Sequence, residues 1–462
     1  MMELDCREIA RATGGKMISG EPHTMVKGVS IDSRTLMPGE WFVPLQGENT
    51  DGHNFVEEVL QKGAAGSFFT KPCTLDAKSL PGTIIEVEDT LEALQDMAGY
   101  YRRKFSPQVI GVTGSSGKTT TKDLLASILK PHLKVLKTEG NYNNQIGLPL
   151  TLMNLTAEHE AAVLEMGMNR TGEIDKLTRI SKPGWGIITN IGEAHIELLG
   201  SRDNIARAKG ELINAMGDDG IIILNGDDPY LREMGESFGG KVYYYGWEEG
   251  ADFKGNKYTY KDGRTGFEVS FPGGERKHYY LPLPGKHNAS NALAALSVGY
   301  LLGVEIDKLN FELTELDFSG GRMQMMKSVE GAKIINDSYN ANPDSMKASL
   351  EVLEQMEVSG ARIAVLGDMF ELGIMAEEAH REVGRKIARS KIDYLVAVGE
   401  LARYIAEEAR QNQLQVYICR NKEEAWKCLR ELPRSEGNCF LVKGSRGMNL
   451  EELVAKLTKG AH

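Results

Sequence analysis

A chain of 462 residues exceeds what one ordinary hydrophobic core serves, and a prior of ~150 residues per domain predicts about three domains. Its 41% hydrophobic and 26% charged composition is that of a globular protein, and no run approaches the ~20 apolar residues that a helix needs to span a bilayer. A net charge of −11 argues against a broad nucleic-acid-binding face, which requires clustered positive charge, so an anionic ligand has to be met locally by individual Lys, Arg and backbone N–H groups.

The opening MMELDCREIA is charged and helix-forming, unlike a secretion signal, and predicts a cytoplasmic protein with no membrane span. Residues 1–87 carry short apolar runs, EWFVPL and TIIEVE among them, broken by Gly, Pro and Asp turn signals; a small mixed α/β domain is expected. TLEALQDMAGYYRRKF has helical spacing and predicts a bridge into the next unit. Over 88–319 the pattern becomes strand, glycine-rich turn, helix: PQVIGVTG and GKTTTKDLLASILK, then AAVLEMG, WGIITNIG and GIIILNGDDP. Such alternation predicts parallel strands covered on both faces. The Tyr-rich stretch 252–283, with its KDGRTG and PGGE turns, predicts a local antiparallel hairpin, and NASNALAALSVGYLLG a closing helix. The alternation restarts over 320–462 through AKIIND, RIAVLGDM, IDYLVAVGE, QVYICR and NCFLVKGSRGM, predicting a second doubly wound, Rossmann-like unit. The expected fold class is α/β in three domains, with the phosphate loop in the central parallel sheet. Cys6, Cys73, Cys419, Cys428 and Cys439 form no CxxC pair and read as buried small hydrophobic residues.

The stretch GVTGSSGKTT, residues 111–120, lies between a predicted strand and a predicted helix, yet it departs from G-x-x-x-x-G-K-[ST]: Val112 stands where the first glycine belongs. Glycines at 111, 114 and 117 allow positive φ and close backbone approach, so that successive N–H groups can surround an anion at a helix N-terminus. Lys118 is placed to reach the β and γ phosphates of a nucleotide, and Thr119 to offer its hydroxyl to magnesium. Glu165 ends the run AAVLE at the carboxyl edge, where ligands of open α/β sheets gather, and its hard oxygen suits magnesium. The plain alternatives are a ligand-free glycine turn and a solvated strand-end charge.

The spacing G-x-x-G-x-x-G-K-T-T resembles the loop of the Mur ligases and of the related folylpolyglutamate synthases. TEGNYNNQIGLPLTL, LEMGMNRTGEI, TNIGEAHIELLGS, ARAKGEL, LPGKHNASNALAA, GRMQ and INDSYNANPDSM also resemble Mur ligase motifs, in the family's order. The N-terminal GVSIDSRTLMPGEWFVPLQGENTDGHNF is similar to the uridine-nucleotide-binding domain of the members that add the third residue and the terminal dipeptide of the peptidoglycan stem, although FVPL departs from the commoner FVAL. The folylpolyglutamate synthase resemblance does not extend to this domain. NYNNQIGLP, EMGMNRTGEI and NDSYNANPDSM are similar to the dipeptide-adding members, and the DNPR signature of many third-residue ligases is absent.

The resemblance implies an ATP-dependent ligase that phosphorylates the terminal carboxylate of UDP-N-acetylmuramoyl-tripeptide and lets the amine of D-alanyl-D-alanine displace phosphate. It implies ATP contacts from Gly114, Ser115, Ser116, Gly117, Lys118, Thr119 and Thr120, from Asn288 and Asn291 with His287 near the adenine, from Arg322 at the γ-phosphate and from Asp337 at the ribose. Asn340, Asn336 and Tyr339 are weaker candidates. From residue type alone, Asn288 can equally cap its helix and Asp337 can be a strand-end turn residue. Two magnesium ions are implied, held through Thr119, Glu165, His195 and Lys209. The lysine matching Lys209 is carbamylated in the family, which turns a cation into an anionic oxygen ligand. The implied catalytic set is Lys118, Glu165, His195, Lys209 and Arg322.

For the uridine diphosphate end the candidates are Ser30, Asp32, Ser33, Arg34, Gln46, Gly47, Asp51 and His53; for the dipeptide, Asn169, Arg170 and the segment DMFELG. Since Arg322 and Asp337 belong to the third domain and the loop to the second, the set is complete only when the domains close, with a hinge expected at 317–321. No nucleic acid partner is expected, and the chain is expected to be a monomer. Two rivals stay open: a third-residue ligase, and a nucleotide-dependent switch that would leave Glu165, His195 and Lys209 without a task. Whether the third stem residue is diaminopimelate or lysine stays open as well.

Overall fold

The computed structural model describes residues 2–47, 50–261, 263–311, 320–410 and 414–459. Three sheets organise the chain in sequence order. The first has five strands, ordered Lys16–Ser19, Thr83–Val87, Gly66–Thr70, Glu40–Phe42 and Gly28–Ser30, parallel except at its Lys16–Ser19 edge. Trp41 and Phe68 meet edge to face inside it, with centroids 5.2 Å apart. Gly66 lies directly under Trp41, where an added Cβ would stand 2.3 Å from the indole, so only hydrogen fits there.

The central sheet has nine strands. Val135–Lys137, Ala161–Glu165, Gln108–Thr113, Trp185–Ile188, Ile221–Asn225 and Lys241–Gly246 run parallel. The loop-bearing strand Gln108–Thr113 sits between Ala161–Glu165 and Trp185–Ile188, so the chain leaves it toward both sides of the sheet, the arrangement that opens a crevice at the carboxyl ends of parallel strands. Residues 252–283 pair antiparallel as expected, but not as a hairpin alone. Phe253–Lys261, Arg264–Ser270 and Arg276–Leu281 form three strands that continue the central sheet, the first joining Lys241–Gly246 in parallel. The physical reason is their apolar side: Phe253, Phe267, Phe271 and Tyr279 pack under the helix Lys286–Leu301, and a free hairpin would leave them in water.

The third sheet has six strands ordered Gln324–Lys327, Lys333–Asn336, Cys439–Lys443, Arg362–Gly367, Tyr394–Val398 and Gln415–Cys419, parallel apart from the first. That antiparallel edge strand, the run QMMK, was not foreseen in the sequence. Of the cysteines, Cys6, Cys419 and Cys439 are buried as expected, whereas Cys73 and Cys428 are half-buried; all are free. Among the described residues no helix is long and apolar enough to cross a membrane.

The helix Thr90–Arg102 joins the first sheet's lobe to the central one. Asp89 caps it by accepting Glu92 N, and its buried Leu94, Met97 and Tyr101 lie between the Cys6–Thr13 helix on one side and the Gly147–Leu152 and Glu173–Ser181 helices on the other. Tyr101 donates its hydroxyl to the buried Leu155 carbonyl at 2.9 Å. Tyr101→Phe leaves that acceptor short of a donor and is expected to cost about 1–3 kcal/mol, read as a lower thermal denaturation midpoint. An unchanged midpoint would mean the bond adds nothing to this junction.

Candidate active site

The strand Gln108–Thr113 leads through Gly114, at φ 145°, and Gly117, at φ 79°, into the helix Lys118–Leu129. Val112 is a buried strand residue, paired in register with Glu165 and Ile187, so the turn begins only at Gly114 and no glycine is needed where the longer pattern has one. Both turn glycines are crowded: an added Cβ would stand 1.9 Å from Thr189 Oγ1 at Gly114, and 2.4 Å from Asn291 Oδ1 at Gly117. The next strand end grips the loop. Ser116 N donates to Asn190 Oδ1 at 3.0 Å, Ser115 N to Asn190 O at 3.0 Å, Thr189 Oγ1 to Ser116 O at 2.5 Å, and Gly192 N to Ser115 Oγ at 2.8 Å. The amide-rich turn is therefore preorganised before any anion arrives.

Lys118 folds back over the loop and donates to Gly114 O at 2.7 Å. Burial lowers its pKa, Glu165 opposes that shift and Arg322 adds to it, so charges from two lobes act on one ammonium group. Glu165 is buried at its strand end; Oε1 accepts Asn143 Nδ2 at 2.7 Å, and Glu165 N donates to Thr138 Oγ1 at 3.0 Å. Its Oε2 is buried without a hydrogen-bond partner, an arrangement that suits a cation. Thr119 is also buried, one residue into the loop helix. Among the described residues no group of three or more His, Cys, Asp and Glu side chains is placed to hold a metal ion. A hard ion beside Glu165 would thus complete its shell with water and phosphate oxygens, the habit of magnesium rather than of zinc.

His195 follows the Trp185–Ile188 strand at φ 65°, and its Nδ1 lies 2.6 Å from Glu371 Oε2, at ion-pair distance but outside hydrogen-bond geometry. His195 in turn draws the Glu371 carboxyl below its usual range. Lys209 is wholly buried on the helix Arg202–Ala215. Burial first, and the charge of Lys118 second, push its amine well below the ordinary lysine range, which favours the uncharged form.

On the other wall, the helix Lys286–Leu301 starts from Gly285, so Asn288 is not its cap. Asn288 Nδ2 donates back to Pro284 O at 2.7 Å, and its Oδ1 accepts Asn291 Nδ2 at 3.3 Å, which holds Asn291 against Gly117. Burial pushes the neighbouring His287 down to about 4. From the third lobe, the Arg322 guanidinium stacks 4.0 Å over the Tyr339 ring with its Nε buried and unpartnered. Asp337 accepts Met323 N at 3.1 Å, Ser349 Oγ at 2.7 Å and Lys443 Nζ at 2.6 Å, leaving little acceptor capacity for another donor. The loop, His195, Asn291, Arg322, Asp337 and Glu371 all line one cavity of about 610 Å³ between the lobes.

This geometry is matched by three family descriptions along the chain: "Mur ligase family, catalytic domain" over 25–102, "Mur ligase middle domain" over 112–299 and "Mur ligase, glutamate ligase domain" over 321–446. The UDP-N-acetylmuramoyl-tripeptide--D-alanyl-D-alanine ligase of Bacillus subtilis is 38% identical over 99% of both chains. The chain belongs to the Mur ligase family. A crystal structure of MurF from Acinetobacter baumannii superposes with a TM-score of 0.90 at 33% identity, covering 99% of each chain. The MurF ligase of Thermotoga maritima in complex with ADP gives 0.82 at 30% identity, covering 94% of this chain and 97% of that one.

In this Mur ligase the eight uridine-side candidates stand apart from the cavity and form two local knots. Ser30 Oγ accepts Asp32 N, and Arg34 clasps the Asp32 carboxylate with two bonds of 2.9 and 2.7 Å, lowering it to about 2; Ser33 lies between them in sequence. Gln46 pairs with Asp51 and Gly47 N donates to Thr50 O, closing the second knot. His53 has both ring nitrogens engaged, by Asp51 Oδ1 at 2.7 Å and Thr70 Oγ1 at 2.9 Å, so it braces that turn. Asn169 and Arg170 turn their amides toward Glu173 outside the cavity, whereas Phe370, Glu371 and Leu372 of DMFELG line it. Of the expected hinge, 317–319 lie outside the described residues, and Gly321 takes φ 75°.

Sequence reasoning missed Asn143, Asn190 and Lys443. Each occupies a strand end or the turn after one, and that position was the available signal.

Gly117→Ala is expected to weaken ADP binding at least ~10-fold in calorimetry, because a side chain there meets both positive φ and Asn291; wild-type affinity would show that the close approach is not needed. The His287 value of about 4 lies below the ~6.5 of an unfolded histidine. The unfolded chain therefore takes up its proton first as pH falls, and stability is lost between about 6.5 and about 4. The thermal midpoint should drop across that window in the wild type and less steeply in His287→Gln; parallel slopes would contradict the assignment.

Proposed function

We propose that this Mur ligase uses ATP to join D-alanyl-D-alanine to UDP-N-acetylmuramoyl-tripeptide, forming the pentapeptide precursor of peptidoglycan. The observation that carries the reading is the meeting of Lys118 and Arg322 at one cavity from two lobes, with the charge of Glu165 acting on Lys118, in a chain 38% identical end to end to a ligase of that name.

A carboxylate is a poor electrophile. Transfer of the γ-phosphoryl group gives its carbon a phosphate leaving group; the dipeptide amine adds to that carbon, and the tetrahedral intermediate collapses with loss of phosphate and a proton to leave an amide. Phosphoryl transfer asks the protein mainly for position and charge neutralisation. Gly114, Ser115, Ser116 and Gly117 surround the phosphates with backbone amides, with Thr120 at the helix start. Lys118 and Arg322 approach the transferring group from opposite sides, and the planar guanidinium suits three diverging oxygens. Asn288 and Asn291 serve the adenine, and Asp337 the ribose, through its remaining lone pair. Magnesium, when bound, neutralises phosphate charge; Thr119 and Glu165 would hold one ion, His195 and Lys209 a second. For Lys209 the chemistry is direct: an uncharged amine nitrogen adds to the carbon of carbon dioxide and loses one proton, leaving an anionic carbamate in a place that disfavours a cation.

In this reading residues 1–87 hold the UDP-muramyl peptide through Ser30, Asp32, Ser33, Arg34, Gln46, Gly47, Asp51 and His53. Residues 88–319 hold ATP, and 320–462 close over it, in a cytoplasmic monomer. Closure keeps water from the acyl phosphate.

Given ATP, magnesium and UDP-muramyl tripeptide, purified protein should release phosphate stoichiometrically with pentapeptide only when D-alanyl-D-alanine is added. Replacing the dipeptide with a diamino acid should give none, and Lys118→Ala should lose turnover by ~100-fold or more. Phosphate release without pentapeptide would overturn the reading. With isotopically labelled bicarbonate, a carbamate carbon resonance should appear in wild type and be missing from Lys209→Gln; its presence in both would move the modification elsewhere.

A further inference from the structure

Neither phosphoryl transfer nor amine attack calls on Glu371, yet the loop that carries it is fastened residue by residue. Asp368 accepts the backbone amides of Glu400, Leu401 and Ala402 at 3.1, 3.0 and 2.7 Å. Met369 N donates to His380 Nε2 at 2.9 Å, while the buried His380 ring is held at its other nitrogen by Ala376 O at 2.6 Å. Phe370 N donates to Ser445 Oγ at 2.8 Å. The next residue, Glu371, then takes φ 62°, a conformation that favours glycine, although Gly373 stands only two positions away.

Across the gap between the lobes the same oddity recurs. His195 has φ 65° at the start of the short helix Ile196–Leu199. The two left-handed residues face each other, with Nδ1 and Oε2 2.6 Å apart, and Glu197 N donates to the Glu371 carbonyl at 3.2 Å. Two uncommon backbone conformations, one in each lobe, thus serve a single side-chain contact. The ion-pair contact on Nδ1 fixes which edge of the imidazole faces Glu371 and leaves Nε2 as the ring nitrogen that can meet a cation.

We propose that Glu371 is a positioning residue: brought in by the third lobe, it orients the His195 ring so that Nε2 is available to a divalent cation, and cation binding and lobe docking become one event. The proposal rests on the reading of this cavity as a site for ATP and magnesium. A simple brace between lobes would need no contact with His195, which lines the cavity; any pair of surface charges would do.

The test uses the full-length chain, Mn²⁺ as the probe ion and ADP, following free Mn²⁺ by electron paramagnetic resonance. Glu371→Gly is the clean variant, because glycine adopts the left-handed backbone without strain and only the carboxylate is lost. Its Mn²⁺ affinity in the presence of ADP should fall ~10-fold or more, with ADP binding in the absence of metal unchanged. In turnover it should need correspondingly more Mg²⁺. Glu371→Asn, whose side chain also tolerates this backbone but is too short, should repeat the loss. Glu371→Gln, which keeps the length and an acceptor oxygen, should recover most of the affinity. If Glu371→Gly or Glu371→Asn lowers the thermal midpoint but leaves Mn²⁺ affinity at the wild-type value, the pair is only a brace and the proposal is wrong. If the variants give that result while the wild type turns over ATP with both substrates, the proposal falls and the ligase reading stands. A wild type that neither turns over ATP nor binds Mn²⁺ with ADP would sink both.

Discussion

Like charge brought to one place from two lobes is the constraint around which the rest of this structure is arranged. Lys118 from the central lobe and Arg322 from the third act on each other at one cavity, the buried Lys209 feels the charge of Lys118, and Glu165 is the opposing charge that Lys118 feels. Burying cations together is unfavourable unless an anion joins them. A bound anion would relieve that repulsion at the place where the two lobes meet.

The sheets supply the positions. Glu165, Thr113 and Asn336 all end parallel strands, and the strands ending at Thr113 and Asn336 pass into turns that line the cavity. Because Gln108–Thr113 is flanked on both sides by parallel neighbours, its loop can be gripped from Asn190 on one side while Glu165 stands on the other. The near-miss in the loop pattern has its origin in the same geometry. Val112 belongs to the buried strand, so the turn is short and depends on Gly114 and Gly117, each pressed against a neighbouring side chain.

Much of this was legible in the chain. Strand, glycine turn and helix recur with a period that states a parallel sheet, and Gly-Lys-Thr after an apolar run states an anion site. Other parts were not. Residues 253–281 read as a hairpin because alternation describes one strand and its partner; what the outer strands lie beneath is set by a helix further along the chain. The alternative that Asn288 caps its helix falls because Gly285 starts the helix, and Asn288 supports Asn291 instead. That Asp51 and Thr70 engage both nitrogens of His53 was likewise not legible, since Thr70 comes from a separate strand.

Local pattern by itself determined the α/β class, the order of strands and helices, and the chemical types gathered at the loop, because these depend on spacing over a few residues. Only the tertiary structure decided which groups act on one another: that the charge of Arg322 is felt by Lys118, that burial lowers the proton affinity of Lys209, that Glu165 keeps one oxygen unsatisfied, and that His195 meets Glu371. Proton affinity and ion pairing depend on solvent exclusion and on the closeness of segments far apart in the chain, and no local spacing encodes those.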